Sequence, residues 1–510
     1  MMIRTSLAYY IWIKSLKKYD HEFKISLNDP ILSQWKILRK YLKNNSKTQY
    51  GKKYNFSNIN SIERFQKLVP IINYSDIEHL ITHICNGKQK IISSDKTLFF
   101  EETTGLEKIS KLIPYNKTLK QEFLSAIGPW ITSLSNDYPN IFEGKSYWSI
   151  SPPMKQKRHT ISGLEIGLNN DSGYLNRIGK ILSNYLLLII DSNVSSEQFY
   201  LNTLKIMLKE KKMGFISVYS PSFLIQLNNL LRKNWAKVIP ESLKLNENAV
   251  WSDIFKNVKV ISCWLDSSSA QFKNEIESFI GEIKIQPKGL LSTEGIVSIP
   301  YKKNYDPVLA ITSHFFEFES QKDGLIYLAD DLKQYEQYEV IISTGNGIMR
   351  YRTDDIIEAT NFIGKTPTIK FIGRKNKFSD IVGEKVSEIS CINTLKLLES
   401  KFQLRNYAAF FYVSDNNNIY NYNLVIHSDK KQINIEKINK FVEKEFNKNA
   451  YYLQAINMKQ LNRLKSILIN KSEYNKLMDR YFKNQRIKEG DRKPPILFNL
   501  NASLILSLQS

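Results

Sequence analysis

Thr293 and Glu294 lie in the run LLSTEGIVSIP at 290 to 300, a Ser-Thr-Glu-Gly step between two apolar stretches. Strand-like residues on both sides would hold a hydroxyl and a carboxylate at a tight, glycine-assisted turn, where a phosphate and its metal ion can be gripped. The chemistry this suggests is that of ATP. A solvated turn after a buried strand would show the same residues, so the step gains meaning only in company.

Other segments supply that company. In FFEETTGLEKISKLIPYN at 99 to 116, a strand runs into Thr103, Thr104 and Gly105, and Lys111 follows six residues after the glycine. Hydroxyls, backbone N–H groups and an ammonium together make a phosphate cradle, although a β-turn leading into a charged loop would look alike. It is not a Walker loop, because the GK[ST] ending is absent. In MRYRTDDIIE at 349 to 358, Arg350 and Arg352 share one face of an expected strand and Asp355 lies near its end. An Asp so placed can accept both hydroxyls of a ribose, whereas a strand face with compensating charges needs no ligand. FIGRKNKFSDIVGEKVSE at 371 to 388 puts Gly373 and Arg374 at a hinge or polar interdomain turn. GDRKPP at 490 to 495 puts Lys493 on a Pro-stiffened loop, where a lone lysine can also simply be solvated.

Composition narrows the partners. The 72 Lys and Arg exceed the 50 Asp and Glu by 22, which favours anions. The surplus is spread along the chain, with no arginine-rich arm, zinc spacing or RNA-binding aromatic signature, so nucleic-acid binding is not expected. Cys85, Cys263 and Cys391 are too widely spaced for a metal knuckle and too few for a disulfide framework, which points to a reducing, cytoplasmic setting. Among the six histidines, His79 and His83 are four apart on an expected helix but lack a third ligand. LAYYIWI near the amino terminus is followed at once by Lys14, Lys17 and Lys18 and reads as an amphipathic helix, not a signal peptide. YLLLII at 185 to 190 is far short of the roughly 20 apolar residues that span a bilayer, so no membrane association is expected. Nothing in the sequence identifies a protein partner.

These groups need a scaffold. With 510 residues, 42% hydrophobic and 24% charged, the chain can bury a large core in two or more domains. From 1 to about 70, apolar residues recur at helical spacing, as in Ile31, Trp35, Leu38 and Leu42, and Pro70 closes the region. Between 97 and 300, short apolar runs (TLFF, YWSIS, GFISVYS, VKVISCW, GLLSTEG) alternate with helical patterns at 196 to 211 and 221 to 232, the signature of an α/β sheet with covering helices. Ligand sites in such sheets gather at strand ends. After 300 comes a meandering β region through TIKFIGR; then a helix at 385 to 400, strands near 405 to 413 and 420 to 428, a helix at 435 to 447 and a basic helical tail, with a domain boundary placed near Arg374.

In order and spacing these segments, with FQKLVPIINYSDI, SYWSISPP, ISVYSPSFL, VISCWLD and LAITSHFFEF, resemble the Gretchen Hagen 3 auxin-responsive promoter family of acyl-acid amido synthetases, especially its bacterial type, within the acyl-adenylate-forming enzymes. The resemblance covers nearly the whole chain. It implies an α/β fold with a large amino-terminal acyl-adenylate-forming domain at 1–373 and a small, mobile α+β carboxyl-terminal domain at 374–510. The implied activity is that of an ATP-dependent ligase, which activates a small carboxylic acid as an acyl-adenylate and passes it to an amine or amino acid, using ATP and Mg²⁺. By the same resemblance Thr103, Thr104, Gly105 and Lys111 match the phosphate loop, Thr293 and Glu294 the nucleotide and magnesium motif, and Asp355 the ribose-binding Asp. Arg374 matches an arginine at the interdomain hinge, and Lys493 a catalytic lysine that approaches the reacting phosphate. An acid pocket is expected among segments 147 to 175, 217 to 223 and 312 to 318.

Three positions depart from the family pattern. Leu106, Glu107 and Lys108 follow Gly105 where hydroxyls and a glycine are usual; Leu290 stands where plant relatives carry an aromatic residue; and Asp354 replaces the glycine before the ribose Asp. The altered loop keeps open a non-catalytic descendant that binds a nucleotide or acid, and a thiol acceptor yielding a thioester is the alternative second half-reaction.

Overall fold

The computed structural model describes residues 2–103, 111–148, 158–167, 177–190, 194–416, 419–430, 432–485 and 492–498. Thr104, Gly105 and the altered positions Leu106, Glu107 and Lys108 lie outside them. The fold is mixed α/β, as expected.

The chain opens with the helices Met2–Ser26, Pro30–Asn45, Gln49–Lys53, Ile62–Leu68 and Tyr74–Cys85. Their starts are written in the sequence: the Asp29 side chain accepts the Leu32 N–H ahead of Pro30, and Thr48 accepts the Gly51 N–H. In the first helix Ala8, Tyr9, Trp12, Leu16 and Phe23 are buried while Leu7, Tyr10 and Ile11 are exposed, so the apolar run at 7–13 lies on both the buried and the exposed side of the helix and does not form the single apolar face expected of an amphipathic one. No helix among the described residues is long and apolar enough to cross a membrane.

The chain divides into two compact units, the first being residues 1–219, 226–264 and 281–371. In it a parallel sheet has the order Tyr147–Trp148, Phe215–Ser217, Val260–Cys263, Lys284–Pro287. A second sheet contains the antiparallel hairpin Phe99–Glu102 and Leu112–Tyr115. The third has seven strands in the order Ile326–Tyr327, Phe315–Ser320, Gln337–Ser343, Tyr351–Ile363, Thr366–Arg374, Val308–Leu309, Ser298–Ile299, of which only residues 372–374 of Thr366–Arg374 are counted with the second unit. Helix Lys117–Asp137 lends Leu119, Phe123, Ala126 and Trp130 to the main core.

The second unit comprises residues 220–225, 265–280 and 372–510. Its sheet runs Leu461–Leu468, Ile419–His427, Ala408–Asn416, Leu497–Phe498, with helices Glu388–Phe402, Ile435–Phe446, Ala450–Asn457 and Lys471–Asn484. Cys391, Leu395, Leu398, Phe411, Val413, Leu424, Ile438 and Val442 form its core.

Two strands differ from the sequence expectation. The parallel sheet's last strand is Lys284–Pro287, not GLLSTEG: its Lys-Ile-Gln-Pro run has too few apolar residues to stand out, whereas Gly289, at φ +82°, turns the next run away. In the expected basic helical tail, Leu461–Leu468 is a strand, because its backbone pairs in parallel with Ile419–His427 and only Leu461 and Leu464 are buried. A 3-residue apolar repeat on a sheet strand imitates a helix.

Candidate active site

The Ser-Thr-Glu-Gly step is a closed turn. Leu291 and Ile296 form an antiparallel bridge, and between them the Ser292 N–H and Oγ–H both donate to the Gly295 carbonyl at 3.0 Å. Thr293 is half-buried and Glu294 is 7% exposed. Gly295 is needed for close approach rather than for an unusual φ: a Cβ there would sit 2.7 Å from His314 Nε2 and 2.8 Å from Ile342 Cδ1.

That approach begins a buried relay. The Ile296 N–H donates to His314 Nε2 at 3.2 Å, so this nitrogen must accept and the ring proton sits on Nδ1. Nδ1 then donates to Glu122 Oε2 at 3.1 Å, and the same carboxylate oxygen accepts the Gly345 N–H at 2.9 Å. His314 is fully buried and Glu122 nearly so. Asn116 grips the other side of Gly345: its amide donates to the Gly345 carbonyl at 3.0 Å, while its Oδ1 caps helix Lys117–Asp137 through the Leu119 N–H. Ser313, Phe315 and Phe316, in a segment expected to line an acid pocket, are buried.

The phosphate-loop candidate springs from the hairpin. The Thr103 N–H donates to the Lys111 carbonyl at 3.0 Å, one residue beyond the paired strands, so both ends of the loop are held together. The hairpin is tied to its neighbours by the Tyr115 hydroxyl, which donates to the Thr293 carbonyl at 2.6 Å, and by the Asn346 amide, which donates to the Pro114 carbonyl at 3.1 Å. Thr103 and Lys111, the Thr293–Glu294 turn and the turn at 344–348 are thereby joined through a few hydrogen bonds.

Asp355 follows that last turn on strand Tyr351–Ile363 and is 3% exposed. The register against Gln337–Ser343 slips here: Glu339 faces Ile356 while Ile341 faces Arg352, a bulge that re-aims the intervening side chains. Asp354 takes φ +62° in the bulge, the left-handed conformation a glycine would favour and one that Asp tolerates. The departure from glycine therefore keeps the backbone shape. Leu290 is buried.

Arg350 and Arg352 are structural. The buried Arg350 forks onto Glu317, with Nε and an Nη each 2.9 Å from a carboxylate oxygen, and donates to the Gln66 and Val69 carbonyls at 2.7 Å. Arg352 pairs with Glu319 at 2.6 Å and Glu339 at 2.7 Å, and the hydrogen bond to Glu319 leads the effects that push its pKa up further. The shared strand face read from the sequence is not formed, because Arg350 precedes strand Tyr351–Ile363 and takes φ +50°; the two arginines nevertheless reach Glu317 and Glu319, two residues apart on strand Phe315–Ser320.

Arg374 and Lys493 belong to the second unit. Arg374 ends strand Thr366–Arg374 and is half-buried. Lys493 is exposed between anchored neighbours: the Arg492 carbonyl accepts the Ser222 hydroxyl at 3.0 Å and also the Ser220 hydroxyl, and Pro494 and Pro495 are buried. Among the described residues no group of three or more His, Cys, Asp or Glu could hold a metal ion.

Glu122, Asn116 and Tyr115 were not singled out from the sequence, and His314 entered only as one of the six histidines and within the segment 312 to 318 expected to line an acid pocket. A signal existed for Glu122: it shares the buried helix positions of Leu119, Phe123 and Ala126, and a carboxylate on an apolar face demands a partner. His314→Ala, which strips Glu122 and the Ile296 N–H of their partner, is expected to cost about 3 kcal/mol in urea unfolding; a loss under about 1 kcal/mol would remove the relay from the site's support.

Comparison with known proteins agrees with this layout. Models of the GH3 family N-terminal, central and C-terminal domains match residues 20–242, 307–374 and 389–502. The Arabidopsis thaliana indole-3-acetic acid-amido synthetase GH3.3 is 23% identical over 420 residues, 70% of this chain and 69% of that protein. The Nicotiana attenuata jasmonoyl–L-amino acid synthetase JAR6 is 21% identical over 444 residues, 73% of this chain and 75% of that one. The structure of the AtGH3.15 acyl acid amido synthetase in complex with 2,4-DB superposes with a TM-score of 0.81 at 18% identity, covering 96% of this chain and 95% of that one. All three domain models fall in order along one chain that also shares this fold, and the protein belongs to the GH3 family.

Proposed function

We propose that the protein is an acyl-acid amido synthetase, an ATP-dependent ligase that joins a small carboxylic acid to an amine or amino acid. The observation that carries this reading is the joining of the Thr293–Glu294 turn to the Thr103–Lys111 hairpin through Tyr115, in a chain of the GH3 family.

A carboxylate is a poor electrophile. Its oxygen attacks the α-phosphorus of ATP and pyrophosphate leaves, giving a mixed anhydride; the amine nitrogen then attacks the acyl carbon, AMP leaves with the bonding pair, and the nitrogen loses its proton. The protein's task is to hold reactants in line and to offset phosphate charge. Hydroxyls of Thr103, Thr104 and Thr293, with the backbone at Gly105, would orient phosphates, the Lys111 and Lys493 ammonium groups would neutralise them, and Asp355 would accept the ribose hydroxyls. Glu294 would hold Mg²⁺, whose contribution when bound would be to draw off phosphate charge. A single carboxylate, Glu294, suits that ion, which takes one or two carboxylates and fills its other places with phosphate and water. Residues 374–510 would move as the small domain about Arg374 between the two steps. The three free thiols support a reducing, cytoplasmic location.

Calorimetry of Mg-ATP binding to the wild type and Asp355→Ala tests the site. Binding in the wild type, weakened about tenfold or more in the variant, is expected from loss of charge-assisted hydrogen bonds; acid-dependent pyrophosphate exchange then tests turnover. The altered positions 106–108 favour one other reading, a non-catalytic nucleotide or acid binder. It takes over if exchange fails across a panel of acids. A thiol that outpaces amines in releasing AMP would instead select thioester formation.

A further inference from the structure

Helix Met2–Ser26 turns a second stripe to solvent, opposite the face that enters the core. Leu7, Tyr10, Ile11, Lys14, Lys17 and Lys18 recur at three- and four-residue steps, so they share one side of the helix, and all are exposed. Tyr10 is 62% exposed, Leu7 54% and Ile11 42%. Helix Arg177–Leu186 packs beside this helix, with the Tyr9 hydroxyl donating to the Leu186 carbonyl at 2.7 Å, and exposes an apolar row of its own, Ile178, Ile181 and Tyr185. Exposed apolar side chains grouped in this way mark a contact surface.

Charge selects the partner. No Asp or Glu occurs among residues 1–19 or 177–190. Glu143, whose carbonyl accepts the Ser6 hydroxyl, has its own carboxylate on Lys212 at 3.1 Å. Glu22, one turn beyond Lys18, is the first exposed acid of the helix. The three lysines follow the apolar residues directly along the stripe, and the Lys14 ammonium lies 6.0 Å from the Tyr10 ring centre. Lysine is depleted where proteins meet proteins. At a bilayer it is favoured, because its stem covers apolar surface while its ammonium stays among the headgroups.

We propose that this stripe, with the row on helix Arg177–Leu186, docks on an anionic phospholipid bilayer. Leu7, Tyr10 and Ile11 would enter the boundary between headgroups and acyl chains, while Lys14, Lys17 and Lys18 face the anionic headgroups. Such docking requires no spanning segment, so the shortness of YLLLII does not oppose it. Neither helix carries a residue assigned above to the candidate site, so docking and ligase activity are separable.

The test is sedimentation of the full-length protein with vesicles of phosphatidylcholine alone and of phosphatidylcholine with about one-third phosphatidylserine, at about 0.1 M salt. Wild type is compared with Lys14→Gln/Lys17→Gln/Lys18→Gln and with Tyr10→Gln/Ile11→Gln; circular dichroism checks that each is folded. Lys437→Gln/Lys440→Gln/Lys444→Gln controls for net charge, since these lysines form an exposed row on helix Ile435–Phe446, where no large apolar residue is exposed. Expected are saturable binding to the mixed vesicles and little to phosphatidylcholine, weakening of about tenfold or more in each stripe variant, and a change under about twofold in the control. Should one stripe variant fail to fold, the other decides. No binding to the mixed vesicles, equal binding to both kinds, undiminished binding by a folded stripe variant, or an equal loss in the control would overturn the proposal. So would lipid-free dimerisation that Tyr10→Gln/Ile11→Gln abolishes, which would give the face to a second copy of the chain.

Discussion

Replacing Glu294 with alanine is expected to lower acid-dependent pyrophosphate exchange by about 10²- to 10³-fold, the scale seen when one preorganised electrostatic group is removed from a reacting centre. The effect should be chemical rather than structural. The turn is closed by backbone atoms and by Ser292, whose bonds to Gly295 do not involve the Glu294 side chain. Far-UV dichroism and the urea midpoint of Glu294→Ala should therefore stay close to wild type. Glu294→Gln keeps the shape and removes the charge, so a loss comparable to that of alanine would identify the charge as the working feature. Turnover within threefold of wild type in either variant would sink the assignment.

The largest stability effect is expected at Arg350. Arg350→Met leaves the fully buried Glu317 carboxylate without its counter-ion and the Gln66 and Val69 carbonyls without their donor. Breaking a buried pair from one side costs about 3–5 kcal/mol, because the surviving charge stays in a low-dielectric interior. Urea unfolding at neutral pH measures it. The double variant Arg350→Met/Glu317→Leu should recover a large part of the loss, since the charge needing solvation is gone; the two carbonyls remain unpaired, so recovery should be incomplete. A single variant costing under about 1 kcal/mol would show that the pair is solvated. Asp355→Ala serves as a contrast, expected to weaken nucleotide binding without comparable destabilisation.

The sequence carried these structures unevenly. Helix caps and apolar spacing are local properties, so Ser196–Lys209, Pro221–Lys233 and Ile435–Phe446 were legible within a residue or two. Lys284–Pro287 and Leu461–Leu468 were not, because pairing with distant strands, rather than their own composition, makes them strands. At the site, Thr293–Glu294 and Thr103–Lys111 stood out by residue type, but nothing local ties them together. That link runs through Tyr115 and through the Ile296, His314, Glu122 and Gly345 relay, whose members are far apart in sequence. Arg350 shows the converse: a cation in a suggestive motif is neutralised by Glu317, more than thirty residues earlier.

The Thr103 to Lys111 bond has an evolutionary corollary. A loop clasped at its base by two paired strands behaves as an exchangeable cassette: selection can rewrite the tip without renegotiating the sheet beneath it. Divergence at 106–108 could thus accumulate under a scaffold that barely notices it, and the chemistry of the tip is free to drift, specialise or revert faster than the fold that carries it.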